Sequence, residues 1–304
     1  MNKTETASRS LAFLLLALAM LFWAGNWVVG RALRDLFEPN ALNFWRWLVA
    51  VVVLAPFALP RLRGRLPAIR RSAGLLLALS FLGVALFQSL VYSGLKTTTA
   101  VNAVLLNSSL PAFMLLCSWA IEGERGTRRQ VAGMLISLAG ILVILARGDP
   151  ASLARLEFHA GDALILLAMP AWGVYSVLLK RRPPELDGIA FLFVISAIGA
   201  VLLLPAVALE AYYAPPRWPG AAGVAAALYV GLAASVGAFI CWNRGVAIVG
   251  ANAAGFTVHL LPAFGTLLAI GFLDESFRFF HAVGIATILV GVVVATRAAP
   301  ARAD

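Results

Sequence analysis

The sequence predicts an all-α integral membrane protein with ten transmembrane helices arranged as two inverted five-helix repeats. Three observations carry that expectation. Of its 304 residues 62% are hydrophobic and only 12% charged, at a mean hydropathy of +0.91, whereas soluble domains carry about a quarter charged residues. The apolar residues gather into ten runs of near-bilayer length. The second half of the chain also repeats the punctuation of the first at an almost constant offset.

The runs are 11–30, 41–60, 73–95, 100–121 and a shorter 131–146, then 161–179, 188–209, 221–242, 251–273 and a short 281–296. Lys3 and Arg9 ahead of the first run have the look of a secretory leader. A cleaved apolar core is normally about 7 to 15 residues, shorter than this run. Met20-x-x-Trp23 moreover recurs as Met169-x-x-Trp172 in the sixth run, so the first run is taken as a helix. Cys117 and Cys241 both lie within runs and act as small hydrophobes rather than as a disulfide framework.

A net charge of +10 would suit a nucleic-acid partner, but the basic residues lie almost wholly between the runs and read as topology signals, so no nucleic acid is expected. With the N-terminus placed inside, sixteen of the 24 lysines and arginines fall on that side and seven on the other, Arg46 lying within helix 2. Both termini are therefore expected to be cytoplasmic.

At an offset of 149, Trp23 matches Trp172, Arg31 matches Lys180 and Pro56 matches Pro205. After the third helix the offset becomes 151, pairing Gly94 with Gly245, Glu124 with Glu275, Gly133 with Gly284 and Gly140 with Gly291. Five crossings per copy is an odd number, so the second copy must enter from the opposite side. Inverted repeats around a midplane site, often with broken helices, are an architecture of secondary transporters. The expected divisions are residues 1–146, an outside linker at 147–160, and residues 161–304.

The same offset relates Pro111-Ala-Phe113 in helix 4 to Pro262-Ala-Phe264 in helix 9. Proline lacks an amide hydrogen and crowds the carbonyl four residues back, so Asn107 and Val258 are each expected to present an unpaired backbone oxygen. Within hydrocarbon such an oxygen must face protein or a cavity. Pro111 and Pro262 are thus expected to be helix breaks or hinges that shape a central cavity.

These residues resemble the ten-helix, EamA-like branch of the drug/metabolite transporter superfamily. The resemblance rests on Trp23-Ala-Gly-Asn26, Arg46, Ala100-Val-Asn-Ala103 through Pro111 to Glu124, Trp172-Gly-Val-Tyr175, Trp242, residues 251–254, Pro262 and Glu275. It covers nearly the whole chain. It implies a transporter of the bacterial inner membrane whose helices 1, 3, 4, 6, 8 and 9 line a central cavity. It also implies export of amino acids or related metabolites, the aromatic content being similar to that of aromatic amino-acid exporters.

The residues themselves point to particular cavity positions. Trp23, Asn26 and Trp27 share one face of helix 1, and Trp172 and Tyr175 share the equivalent face of helix 6. Such faces can hold an apolar side chain and its polar ends, or they can simply pack. Gln88 and Tyr92 share a face of helix 3 that must look inward, toward substrate or toward another helix. Asn243, the counterpart of Tyr92, is expected at the end of helix 8, in reach of water. His259 corresponds to Ser108; it is either a substrate ligand or proton carrier, or a neutral histidine donating to a neighbouring helix. Arg46, about a third of the way into helix 2, is expected to snorkel or to serve structure, the alternative being a functional intramembrane charge.

The binding set is therefore Trp23, Asn26, Trp27, Gln88, Tyr92, Asn107, Ser108, Trp172, Tyr175 and His259, with no catalytic, cofactor or metal site. All fourteen Asp and Glu fall in loops or at helix ends, which favours gradient-driven export of neutral or zwitterionic solutes over proton coupling. A membrane-embedded enzyme built on Ser108 and His259 is the alternative class, but no G-x-S-x-G elbow or intramembrane acid supports it. A passive channel or lipid scramblase is the third. The expected partners are a small-molecule substrate and the lipid bilayer, in a monomer or homodimer. The small residues Gly133, Ser137, Gly140, Gly284 and Gly291 could dock the repeats or a second protomer.

Overall fold

The computed structural model describes residues 3–33, 35–146, 149–155, 157–215, 218–272 and 278–296. Their regular structure is helical throughout. The membrane helices of the first half are α1 (Lys3–Ala32), α2 (Pro39–Leu62), α3 (Ala73–Thr97), α4 (Ala100–Asn107 and Leu110–Glu122) and α5 (Arg128–Ala146). Those of the second half begin with α6 (Ala160–Leu178) and α7 (Gly188–Tyr213). A continuous apolar stretch of 49 residues, Gly220–Leu268, then follows. At about 1.5 Å per residue it is far longer than one crossing. Gly250 divides it, with φ +83° and ψ 161°, a conformation open essentially to glycine alone. Residues 220–249 therefore form α8, residues 251–272 form α9, and Phe279–Thr296 forms α10.

One boundary differs from expectation in a way that matters. Helix α8 continues past Trp242 up to Gly250, because nothing before that glycine interrupts it. Asn243 consequently lies inside the bundle, 2% exposed, and not at a watered helix end.

Helices of one repeat pack mainly on helices of the other: α1 on α8 and α9, α3 and α4 on α6, α2 on α7, and α5 on α10. The small residues dock α5 directly onto α10 of the same chain. A Cβ at Gly133 would stand 2.5 Å from the Gly291 carbonyl oxygen, and one at Gly140 would stand 2.7 Å from that of Gly284. Ascending residues on α5 meet descending ones on α10, so the two helices run antiparallel. The offset of 151 exchanges the two contacts, which is the signature of a twofold-related, inverted pair. Gly94 against Gly161 and Ile165 is likewise repeated as Gly245 against Ala12 and Leu16.

Two departures from α-helix were not legible in the sequence. Ser80–Leu86 in α3 and Val230–Gly237 in α8 are π-helical, and the repeat offset nearly superposes them. A π segment shifts carbonyls out of the regular ladder. Asn43 Nδ2 accordingly donates to the Val84 and Ala85 carbonyls at 3.1 Å each, and Trp23 Nε1 donates to the Ala234 carbonyl at 3.0 Å.

The two deepest carboxylates serve helix ends. Asp162 accepts from the His159 amide at 2.7 Å, from Asn102 Nδ2 at 2.8 Å and from the Thr98 hydroxyl. Glu210 of α7 accepts from the Asn40 and Ala41 amides at 3.0 and 2.9 Å, satisfying the otherwise unpaired start of α2.

Candidate functional site

Six helices, three from each repeat, converge on a small cavity. Its wall comprises Met20, Trp23, Asn26 and Trp27 of α1, Phe87 and Gln88 of α3, Asn107 and Leu110 of α4, Trp172 of α6, Phe239 of α8, and Val258 and Leu261 of α9. Its volume is about 30 Å³, room for little more than water. A metabolite can occupy it only after the surrounding helices part.

The wall is aromatic because the repeat brings its largest residues to the axis. Trp23 and Trp172, equivalent under the offset of 149, meet edge to face with ring centroids 5.1 Å apart. Phe239 stands 5.7 Å from Trp23 and 5.5 Å from Trp172, and Phe87 lies 4.8 Å from Trp172. Pairs in this range prefer offset or edge geometries and add roughly 0.5–1.5 kcal/mol each beyond area burial.

Of the ten residues singled out from sequence, Trp23, Asn26, Trp27, Gln88, Asn107 and Trp172 lie in the cavity wall. Tyr92, Ser108, Tyr175 and His259 are not in the wall: the two tyrosine hydroxyls and His259 Nε2 bond to neighbouring helices, and the Ser108 hydroxyl bonds within its own. The Tyr92 hydroxyl donates to Asn26 Oδ1 at 2.7 Å, joining α3 to α1. The Tyr175 hydroxyl donates to Asn243 Oδ1 at 2.9 Å, joining α6 to α8. The repeat exchanges these two bonds, since Asn26 corresponds to Tyr175 and Tyr92 to Asn243. By the course of the helices they lie toward opposite faces of the bundle, so each approach to the cavity carries one such interhelical bond. Each tyrosine ring rests on a glycine: a Cβ at Gly30 would come within 2.8 Å of Tyr92, and one at Gly83 within 2.4 Å of Tyr175.

Both prolines sit just past a break. Residues 108–109 interrupt α4, and a 3-10 turn, Thr257–His259, interrupts α9. The carbonyl taken up by a side chain is that of Ser108, one residue beyond the expected Asn107: His259 Nε2 lies 3.0 Å from it. A carbonyl can only accept, so Nε2 carries the proton. The Ser108 hydroxyl instead donates to Val104 at 2.7 Å. Ser108 and His259 therefore strap α4 to α9 and do not form a nucleophile–base pair.

Arg46 does not snorkel. It is 1% exposed and turns inward, with Nε donating to Ser235 Oγ at 2.7 Å, Nη1 to the Tyr92 hydroxyl at 3.3 Å and Nη2 to the Ala234 carbonyl at 3.3 Å. Its guanidinium also lies 5.3 Å from the Trp47 ring centroid. The π segment of α8 supplies two of these partners, the Ser235 hydroxyl and the Ala234 carbonyl. Sequence spacing within α2 carries no trace of these partners. At one end of the bundle Lys180 binds Glu122 at 2.6 Å and Glu124 at 3.2 Å, pinning α6 to the end of α4. Glu275, the counterpart of Glu124, lies outside the described residues.

Comparison with known proteins agrees with this architecture. The profile of the EamA-like transporter family matches twice, over residues 10–146 and 159–297. An uncharacterized transporter of Archaeoglobus fulgidus is 30% identical over 289 residues, covering 93% of this chain and 96% of that one. A probable terminal-alkyne amino-acid exporter of Streptantibioticus cattleyicolor is 27% identical, covering 93% and 92%. A solved crystal structure shares the fold at TM-score 0.74 and 23% identity, covering 94% of this chain and 96% of that one. This chain is thus a multi-pass membrane transporter and belongs to the EamA-like transporter family.

Proposed function

We propose that the protein exports amino acids or related small metabolites by alternating access, the two repeats rocking about the cavity between them. The observation that carries this reading is the small central cavity itself, built from three helices of each repeat, walled by aromatic rings and flanked by equivalent Tyr–Asn bonds. The amino-acid class draws on the S. cattleyicolor relative, whose name gives it as a probable exporter of a terminal-alkyne amino acid. In this reading residues 1–146 and 161–304 are the rocking units, 147–160 links them, and Pro111 and Pro262 are hinges. The protein resides in a bacterial inner membrane with both termini cytoplasmic, as a monomer or homodimer. The carboxylates bound up at helix ends leave the cavity without an acid, which supports gradient-driven movement of a neutral or zwitterionic solute.

The test is a counterflow screen of amino acids, purines, sugars and cationic drugs with purified protein in liposomes. Saturable counterflow of one or more amino acids is expected. Counterflow confined to the other classes, or uphill flux driven by a pH gradient alone, contradicts the reading.

A further inference from the structure

The geometry points to an oxyanion receptor at one pole of the cavity, formed by Arg46 with Gln88 and Trp172, that takes the carboxylate of a solute whose other end is apolar. It rests on the transport reading above and names the group by which the solute is held.

Three observations carry it. First, the cavity wall holds hydrogen-bond donors that lack acceptors. Gln88 is 7% exposed and Trp172 2%. Neither Gln88 Nε2 nor Trp172 Nε1 has an acceptor among the described residues. Both side chains line the cavity. A buried donor left unpaired is costly, and an acceptor-rich ligand relieves it. Second, a full positive charge lies directly behind this wall. Arg46 reaches the cavity through two links: its Nη1 donates to Tyr92, which donates to Asn26, and its Nη2 shares the Ala234 carbonyl with Trp23 Nε1. Asn26 and Trp23 are themselves wall residues.

Third, the partners of Arg46 are all neutral: a serine hydroxyl, a tyrosine hydroxyl and a backbone carbonyl. No carboxylate among the described residues forms an ion pair with it. A buried guanidinium without a counter-anion is a receptor for one, and its planar fork matches a carboxylate in two parallel hydrogen bonds. Apart from Trp27 and Asn107, the remaining wall is Met20, Phe87, Leu110, Phe239, Val258 and Leu261, which suits an apolar side chain, and none of it carries a charge. When the Tyr92–Asn26 bond opens, the carboxylate takes the place of the Tyr92 hydroxyl on Arg46. Loading the site and releasing one side of the cavity are then the same event.

The probes are L-phenylalanine, 3-phenylpropionate, L-phenylalaninamide and phenethylamine, measured by ligand-dependent thermal stabilisation of the purified full chain and by competition in counterflow. The two carboxylates are expected to bind about tenfold or more tightly than the amide and the amine, the scale of a charge-assisted pair. In Arg46→Met that ratio is expected to collapse to within about twofold, and Arg46→Lys to restore part of it. Equal binding of phenylalanine and its amide by the wild type overturns the inference even where transport of phenylalanine is demonstrated. An unchanged ratio in Arg46→Met overturns it as well. Carboxylate-selective binding without counterflow leaves the receptor standing and sinks the export reading. Should Arg46→Met fail to reach the membrane, the wild-type series together with Gln88→Met decides, since Gln88→Met is expected to weaken the carboxylates more than the amine, and an equal loss for both overturns the inference.

Discussion

At the scale of single residues, the cavity sets large aromatic surfaces beside polar groups that are unpaired or paired only with neutral partners. Gln88 presents an unsatisfied amide donor, so Gln88→Ala should lower counterflow about tenfold, the effect of about 1.4 kcal/mol, while membrane abundance measured by immunoblot stays unchanged. Tyr175→Phe removes one interhelical hydrogen bond, worth about 0.6 kcal/mol on average. Because that bond ties one approach to the cavity, solvent access to Trp172 read by fluorescence quenching should rise on that side alone. Trp23 and Trp172 were legible because each repeat carries the same residue at the same place. Of the two roles expected for Arg46, snorkelling fails and interhelical bonding holds, and its partners on α3 and α8 lie too far along the chain to be read from its position near the start of α2. An uncompensated arginine at a helix centre costs about 3 kcal/mol on insertion scales, a cost that the hydrogen bonds of Arg46 to Ser235, Tyr92 and Ala234 offset.

At the scale of elements, the glycines decide which helices touch. Gly133 and Gly291 bring the backbones of α5 and α10 together, so Gly291→Leu forces the pair apart. Overpacking of this kind costs about 1–3 kcal/mol, and a matching loss of thermal stability with scattered elution on size-exclusion chromatography is expected. Pro111 begins the second half of α4, next to the carbonyl held by His259. Pro111→Ala should change the transport rate more than the order of substrate preference, as read from counterflow with a fixed panel of solutes. The helix count, the break in α4 and its partner in α9 could all be read from apolar length and proline placement. The π segments in α3 and α8 could not, since no residue type marks them, and with them went the true partners of Asn43, Arg46 and Trp23. Asn243 was misplaced for a related reason: the α8 boundary is set by a single glycine eight residues beyond the last tryptophan of the run.

At the scale of the whole molecule, inversion relates the two ends of the cavity to each other. The two Tyr–Asn bonds and the α5–α10 docking are each exchanged by the repeat offsets of 149 and 151, so opening one side has a counterpart operation on the other. The most direct test places a cysteine at Leu110, inside the wall, in a background with Cys117→Ala and Cys241→Ala. A membrane-impermeant thiol reagent is then applied from each side of oriented membranes. Labelling from both faces, with substrate in the compartment shifting the balance between them, is the expected result. Labelling from one face only, whatever the substrate gradient, would contradict a cavity that is alternately exposed.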